Sequence, residues 1–530
     1  MKKQPPSIFN DVIGPVMRGP SSSHTAASVR IGKLVRQFFA SGITSFHAAF
    51  DPGGSLASTY SSQASDIGLA GGLLNMDLDD PGLVNSLETA RDRGIDIKFQ
   101  ITEYEADHPN TYRITARGEQ GEDYLFVFVS TGGGMLELRE LNGAAVSICG
   151  DFHETLLFLN STEKAVIGKY IANIEKLVPG LDYCSVADGR GFSLVNIKTG
   201  YPLPAQLTEA FDIFDLLEDI VQLEPVLPLR SRKNCTVPYE YASDILADAE
   251  KEAAQLWELA VKYESARGDI SEEEVMKITG DIAAIMKSSI ETGLAGTEYE
   301  DRILGPQALK MLQYDGKISG GERDKRMIAY ITAIMETKSA MGVIVAAPTA
   351  GSCGGLPGTL FAAADELKLE EGMIIKALLA AGLVGAIIAR HSTFAAEACG
   401  CQAECGAGSG MAAAGLVQML GGTVSQALDA AAMALQNVMG MVCDPVAERV
   451  EVPCLGKNIL AGFNAAAAAN MALAGFKNVI PLDETIGALH EAGTMIPAEL
   501  RCTGRAGLST TASARKVARK LQQKKILPLT

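Results

Sequence analysis

Hydrophobic and polar positions change period part-way along this chain. Up to about residue 150 the apolar residues come in short alternating runs, Ile95–Glu103, Thr111–Arg117, Tyr124–Ser130 and Met135–Glu140, parted by Gly, Asn and Pro. Such runs predict strands. Ahead of them, Thr25–Ser41 has helical spacing and is stopped by Gly42. A smaller unit follows: an apolar strand over Thr155–Leu159, a helix over Lys164–Leu177, and a strand pair around Tyr183–Ile197 turned at Gly189 and Gly191. That β-α-β-β order suits a small ligand-sensing module of the ACT type. Tyr201–Pro238 bears several prolines and reads as a linker. From about Ser243 the spacing is helical. Ser271–Glu274 forms a capping box. Helices are expected over Arg323–Ser339, Glu371–Arg390, Met411–Leu420, Val424–Met439 and Gly456–Ala474. Several of these are Ala-rich and apolar nearly all round, the mark of a buried helix.

The expected fold is therefore multidomain: an N-terminal α/β domain with a small ACT-like α+β unit, then a C-terminal all-α domain. The boundaries fall at 1–150, 151–225 (module and linker) and 240–515. The length of 530 residues agrees, at roughly 100–200 residues per domain.

Composition narrows the function classes. The chain has 63 acidic against 46 basic residues, a net charge of −17. A nucleic-acid or acidic-membrane partner needs a basic face, and only the short stretch Arg515–Lys525 offers one. Met1–Pro15 has two lysines with no apolar stretch behind them, unlike a signal peptide. The uncharged run between Lys338 and Asp365 is broken by Pro348, Pro357 and glycines, and Ala377–Ala389 is short for a bilayer span. A cytoplasmic location is expected.

Of ten cysteines, seven (Cys353, Cys399, Cys401, Cys405, Cys443, Cys454 and Cys502) fall in the last third. Disulfides are disfavoured in a large cytosolic chain, so the clustering points to metal or redox chemistry, or to small buried hydrophobes. No C-x-x-C pair supports zinc. An iron–sulfur cluster accepts thiolates from distant segments.

Four segments carry candidate chemistry. Gly19-Pro20-Ser21-Ser22-Ser23-His24-Thr25 leads straight into a helix. A helix N-terminus offers unpaired N–H groups and a positive dipole end, suited to a carboxylate or phosphate. A plain N-cap needs one serine, not three and a histidine. Ala346–Gly355 is a turn with hydroxyl and thiol groups, and equally a helix connection. Cys399-Gly400-Cys401-Gln402-Ala403-Glu404-Cys405 is followed by a glycine run that lies between helices, so it is a poor dinucleotide loop. Cys443-Asp444-Pro445 and Val452-Pro453-Cys454 place each cysteine close to a proline.

Together these blocks resemble the iron–sulfur-dependent L-serine dehydratases (L-serine ammonia-lyases), in a single-chain form with fused β and α domains. Gly-Pro-Ser-Ser-Ser-His-Thr looks like the family's β-domain signature. Ala-Pro-Thr-Ala-Gly-Ser-Cys-Gly, Gly-Cys-Gln, Cys-Asp-Pro and Val-Pro-Cys look like its α-domain signatures, in the family's order. The resemblance implies a [4Fe–4S] cluster on Cys401, Cys443 and Cys454, with one iron left open as a Lewis acid. It implies conversion of L-serine to pyruvate and ammonia, with Ser21, Ser22, Ser23, Thr25, Ser55, Thr349, Gly351 and Ser352 at the substrate. A homodimer is the expected assembly. His24 is the first choice for proton transfer, and His391, ten residues before Cys401, is its rival. Two departures stand out. Gln63 occupies the place where the family often has a His, and the chain ends Pro528-Leu529-Thr530 where some members end in a cysteine. Competing readings are a metal- or redox-sensing amino-acid regulator without turnover and a lyase for another small hydroxy- or thiol-amino acid. A pyridoxal phosphate enzyme is disfavoured, because no lysine sits in a Ser- or Gly-rich loop.

Overall fold

A computed structural model describes residues 4–211 and 216–526, so Pro528–Thr530 lie outside the described residues. A mixed sheet dominates the first part. Its strands are β1 (Ile43–Phe50), β2 (Asp96–Ile101), β3 (Thr111–Gly118), β4 (Asp123–Gly132), β5 (Met135–Leu141) and β6 (Ala144–Ile148). They lie in the order β2-β1-β3-β4-β5-β6. Only β1 and β2 run parallel within this sheet. In β3 the buried positions alternate with exposed ones, the period-2 signature of a sheet with one covered face. The helices Ala27–Arg36 and Ser65–Leu73 pack against each other, and residues of both join the aromatic core of the sheet, which holds Phe38, Phe46, Phe126 and Phe128.

The second sheet is antiparallel and consists of β7 (His153–Leu159), β8 (Leu181–Asp188), β9 (Ser193–Thr199) and β10 (Leu217–Leu223), in the order β10-β7-β9-β8. The helix Lys164–Leu177 connects β7 to β8 and buries Ile167, Tyr170 and Ile174 against them. Strand β10 falls inside the stretch expected to be a linker. It was hidden because only Val221 and Leu223 are buried in it, too few for a clear alternating pattern. The central strand β1 was missed for a similar reason: Ser45, His47 and three small or polar neighbours dilute its apolar run.

The rest is helical. Ala407–Met419 is buried along its whole length and packs on Glu371–His391, Val424–Gln436 and Cys454–Leu473. Glu371–His391 is, among the described residues, the one helix long and apolar enough to cross a membrane, and 72 % of its apolar window is buried inside the protein. Ser271 caps Glu272–Ala295 by accepting from the Glu274 amide at 3.1 Å.

The two parts are laced together by the N-terminal segment. Ile8, Phe9, Val12, Ile13 and Met17 belong to the helical core, not to the sheet. Ser7 and the Ile8 amide satisfy buried Glu264. Residues Val16–Arg18 pair antiparallel with Val343–Val345.

Small residues make the closest contacts possible. A Cβ on Gly72 would lie 2.2 Å from the Val29 carbonyl oxygen, and one on Gly32 would lie 2.5 Å from that of Leu69. Backbone cannot yield as a flexible side chain can. Gly72→Ala should therefore destabilise the protein by about 1–3 kcal/mol, read as a lower denaturation midpoint. An unchanged midpoint would mean that the two helices separate freely.

Candidate active site

The strand pair Val16–Arg18 with Val343–Val345 delivers two loops to one place. After the first strand the chain enters Ser22–Ala26 and then the helix Ala27–Arg36. After the second it enters the Pro348–Ser352 turn. The Ala350 amide donates to Ser22 Oγ at 3.2 Å, joining the loops across the two parts of the chain.

His24 is 1 % exposed. Its Nε2 lies 2.8 Å from Thr59 Oγ1 and its Nδ1 3.1 Å from Ser21 Oγ. Thr59 has one hydroxyl proton, given to the Ser55 carbonyl at 2.7 Å. Its oxygen must therefore accept from Nε2–H, which leaves the Nδ1 lone pair facing Ser21. Burial pushes the imidazole down to about 3, so it is neutral at physiological pH. Ser55 Oγ bonds Asn110, and Thr25 Oγ1 donates to the Gln63 carbonyl at 3.0 Å. Among the described residues no partner takes the Ser23 hydroxyl, which is 8 % exposed. Gln63 reaches across the domain boundary, Nε2 donating to the Glu448 carbonyl at 3.1 Å. Arg449 locks the same loops by bonding the Ser62 carbonyl and Asp301. Beside them is a cavity of ≈ 190 Å³ whose polar lining includes Asp66, Tyr299, Lys338 and Arg449.

Cys401, Cys443 and Cys454 are at most 6 % exposed. Each is brought in by a different local device. Gly400 turns the chain at φ +71, where a Cβ would stand 2.7 Å from the Met441 carbonyl oxygen, and presents Cys401 at the start of a helical segment. Cys443 is held by a bridge to Arg501. Cys454 begins the helix Cys454–Leu473. Helix N-termini favour thiolates at the first and third of these. The Sγ atoms of Cys401 and Cys443 and a carboxylate oxygen of Glu404 lie within 4.8 Å of one another. Cys454 interacts electrostatically with Cys401. Lys457 Nζ sits 3.6 Å from Cys401 Sγ and 3.1 Å from Asp444.

Burial raises the Cys454 thiol, while hydrogen bonding to Cys401 and Cys502 and burial raise that of Cys443. Several sulfur donors thus share one dry pocket with one ammonium, an arrangement that suits a soft cationic group such as an iron–sulfur cluster. The thiol-rich donor set fits that group.

Glu404 joins the halves of the site. Thr349 Oγ1 donates to it at 2.7 Å, and burial pushes its carboxyl up to about 7. Gly351 leaves room for it, since a Cβ there would come within 3.1 Å of Glu404 Oε1. Ser352 Oγ accepts from the Thr349 amide at 3.2 Å and so holds the turn. Asn458 Nδ2 contacts the Gly351 and Cys454 carbonyls and Cys405 Sγ, at 2.8, 2.9 and 3.6 Å.

His391 is elsewhere. It stacks on Tyr241 at 4.6 Å and bonds the Glu240 carbonyl at 2.7 Å. Sequence reasoning passed over Glu404, Lys457 and Asn458, though each lies three or four residues after a candidate cysteine, the spacing of one helix face. Thr59 and Asn110 carried no such signal.

His24 makes stability depend on pH. Its folded value lies below the unfolded 6.5, so its contribution is complete above that pH and is lost as pH falls toward about 3. In this window it removes roughly 1 kcal/mol per pH unit. His24→Asn should show a shallower acid loss of denaturation midpoint than the parent between pH 6.5 and 4.5. Parallel curves would place the imidazole in contact with water.

Known proteins are similar to both parts of this chain. The serine dehydratase alpha chain family model matches residues 248–509. A probable L-serine dehydratase alpha chain of Bacillus subtilis is 40 % identical over 47 % of this chain and 84 % of its own. The L-serine dehydratase alpha chain of Peptoniphilus asaccharolyticus is 36 % identical over 52 % of this chain and 96 % of its own. A probable beta chain from Bacillus subtilis is 39 % identical over 32 % of this chain and 74 % of its own. With both kinds of chain matched, and with buried cysteines meeting a hydroxyl-rich loop, this chain belongs to the iron–sulfur L-serine dehydratase family of lyases.

Proposed function

We propose that this chain is an L-serine ammonia-lyase that forms pyruvate and ammonia, with a [4Fe–4S] cluster on Cys401, Cys443 and Cys454. The observation that carries the reading is the meeting of the Cys401–Cys443 pocket, through Glu404 and Thr349, with the loop that holds Ser22. When bound, the cluster supplies a Lewis-acidic iron that makes the substrate hydroxyl a better leaving group.

The protein's own groups do the rest. The Ser21–Thr25 block, with the free Ser23 hydroxyl and the N-terminal end of Ser22–Ala26, receives the substrate carboxylate. Neutral His24, whose Nδ1 lone pair faces the Ser21 hydroxyl, takes the Cα proton once Ser21 gives way. Ser55 and Thr59 fix the ring's tautomer. Thr349, Gly351 and Ser352 shape the opposite wall. Gln63 contributes hydrogen bonding alone, in keeping with a role in affinity or specificity. The four-stranded sheet, with strand order β10-β7-β9-β8, supports an ACT-type reading of residues 151–225 as a ligand-sensing unit.

Anaerobically purified protein should be brown and should make pyruvate from L-serine in preference to L-threonine or L-cysteine. Cys401→Ala, Cys443→Ala or Cys454→Ala should each remove visible absorbance and activity together, while Cys184→Ala should do neither. A colourless zinc protein without turnover would favour the regulator instead. His24→Asn should lower kcat by about 10²-fold or more, within the range of acid–base catalysis, with the cluster spectrum kept. His391→Asn should turn over normally. The reverse pattern would give the proton-transfer role to His391.

A further inference from the structure

One buried cation has no part in the chemistry described so far. Lys338 stands in the last turn of the helix Gly321–Ser339 and is 0 % exposed. A lysine suits a helix C-terminus, but an exposed one would serve there equally. Its Nζ donates to the Val450 carbonyl. An ammonium has three N–H donors, and among the described residues no other hydrogen-bond partner and no carboxylate takes the remainder. The acidic groups of the neighbouring cavity are engaged elsewhere. Asp301 bonds Arg449, Glu451 accepts from the Ile303 and Leu304 amides at 2.9 and 2.8 Å, and Asp66 accepts from the Ile67 amide at 2.8 Å. Buried charges are ordinarily paired, because desolvation without a counter-charge is costly. An anion that visits the site accounts for this one.

The position of Lys338 selects that anion. With Pro20, Ser62, Asp66 and Arg449 it lines the cavity of ≈ 190 Å³, and Pro20 leads directly into Ser21. The Gly19 amide donates to the Gly342 carbonyl at 3.3 Å, and a Cβ on Gly19 would stand 2.8 Å from Lys338 Cγ. The chain that enters the serine block is thus packed on the lysine stem. Toward the other half of the site, burial raises the Cys454 thiol and the Glu404 carboxyl, and the Lys338 charge offsets part of both rises. The ammonium is therefore close to both the hydroxyl-rich loop and the thiol pocket. The hydroxyl and amide donors of that loop carry partial charges only, and His24 is neutral.

We propose that Lys338 is a substrate-binding residue whose ammonium takes the α-carboxylate of the amino acid, beside the donors of the Ser21–Thr25 block. The inference rests on the ammonia-lyase reading above and supplies the full positive charge that the block lacks. It also bears on the chemical step. As the Cα proton leaves, negative charge spreads onto the carboxylate, and an ammonium already held there favours that state over the ground state.

The test uses the full chain, purified without oxygen, with two probes that are not turned over. One is 3-hydroxypropionate, which keeps the carboxylate and lacks the amine. The other is ethanolamine, which keeps the amine and lacks the carboxylate. Lys338→Met keeps the length of the side chain without its charge, and Lys338→Gln can still donate a hydrogen bond. Both variants should keep the iron content and visible spectrum of the parent. By calorimetry, 3-hydroxypropionate should bind about tenfold to a hundredfold more weakly to each, the worth of a hydrogen bond to a charged group. Ethanolamine should bind as it does to the parent. KM for L-serine should rise and kcat should fall in both. Unchanged affinity for 3-hydroxypropionate would overturn the proposal. So would equal weakening of both probes, which would make Lys338 a structural support, or loss of iron from both variants, which would make it a counter-charge to the thiolates. A parent protein that binds neither probe and makes no pyruvate would instead overturn the ammonia-lyase reading.

Discussion

Desolvation of sulfur is the constraint on which the active centre depends. Cys401, Cys443, Cys454 and Cys405 are each at most 6 % exposed and crowd one another. Ionising several of them together in a dry pocket would be prohibitive without positive charge. Lys457, held between Cys401, the Val442 carbonyl and Asp444, brings an ammonium that is already paired with a carboxylate. Two helix N-termini add partial charge. The balance remains for a cationic group, and the surrounding loops are tied accordingly, by the bridge at Cys443 and by Asn458 between Gly351 and Cys454.

The second half of the site loses charge by the same physics. Burial holds His24 unprotonated well below neutral pH and pushes the Glu404 carboxyl up to about 7, so that it is partly protonated near neutrality. Hydrogen bonds then decide which atoms point where. The Thr59 hydroxyl fixes the histidine tautomer, and Thr349 turns Glu404 toward the cysteines. The halves meet where residues Val16–Arg18 reach across to Val343–Val345 and where Gln63 and Arg449 clamp the facing loops. Stability of the boundary and geometry of the site are thus one property.

Much of the architecture was legible in the sequence. Period-2 runs marked β3, β4 and β5, and Ala-rich helical spacing marked the C-terminal domain, because one buried face or an entirely buried helix writes itself into local pattern. The strands β1 and β10 were not legible, since burial on β10 is confined to two residues and β1 mixes small and polar side chains. Ile8–Met17 gave no sign of joining the helical core, because that partnership is made with residues more than two hundred positions away.

The sequence by itself determined which groups are available: the serine block before a helix, the turn around Gly351, the cysteines beside glycine and proline, and the spacing that sets Lys457 and Asn458 on the face of Cys454. Such information spans a turn or two of helix, where chain geometry alone dictates neighbours. Only the tertiary structure decided that Cys502 meets Cys443, that His391 faces Tyr241, that His24 is desolvated and that Glu404 stands between the two halves. Those outcomes depend on distance and solvent exclusion between segments far apart in the chain, which no local spacing encodes.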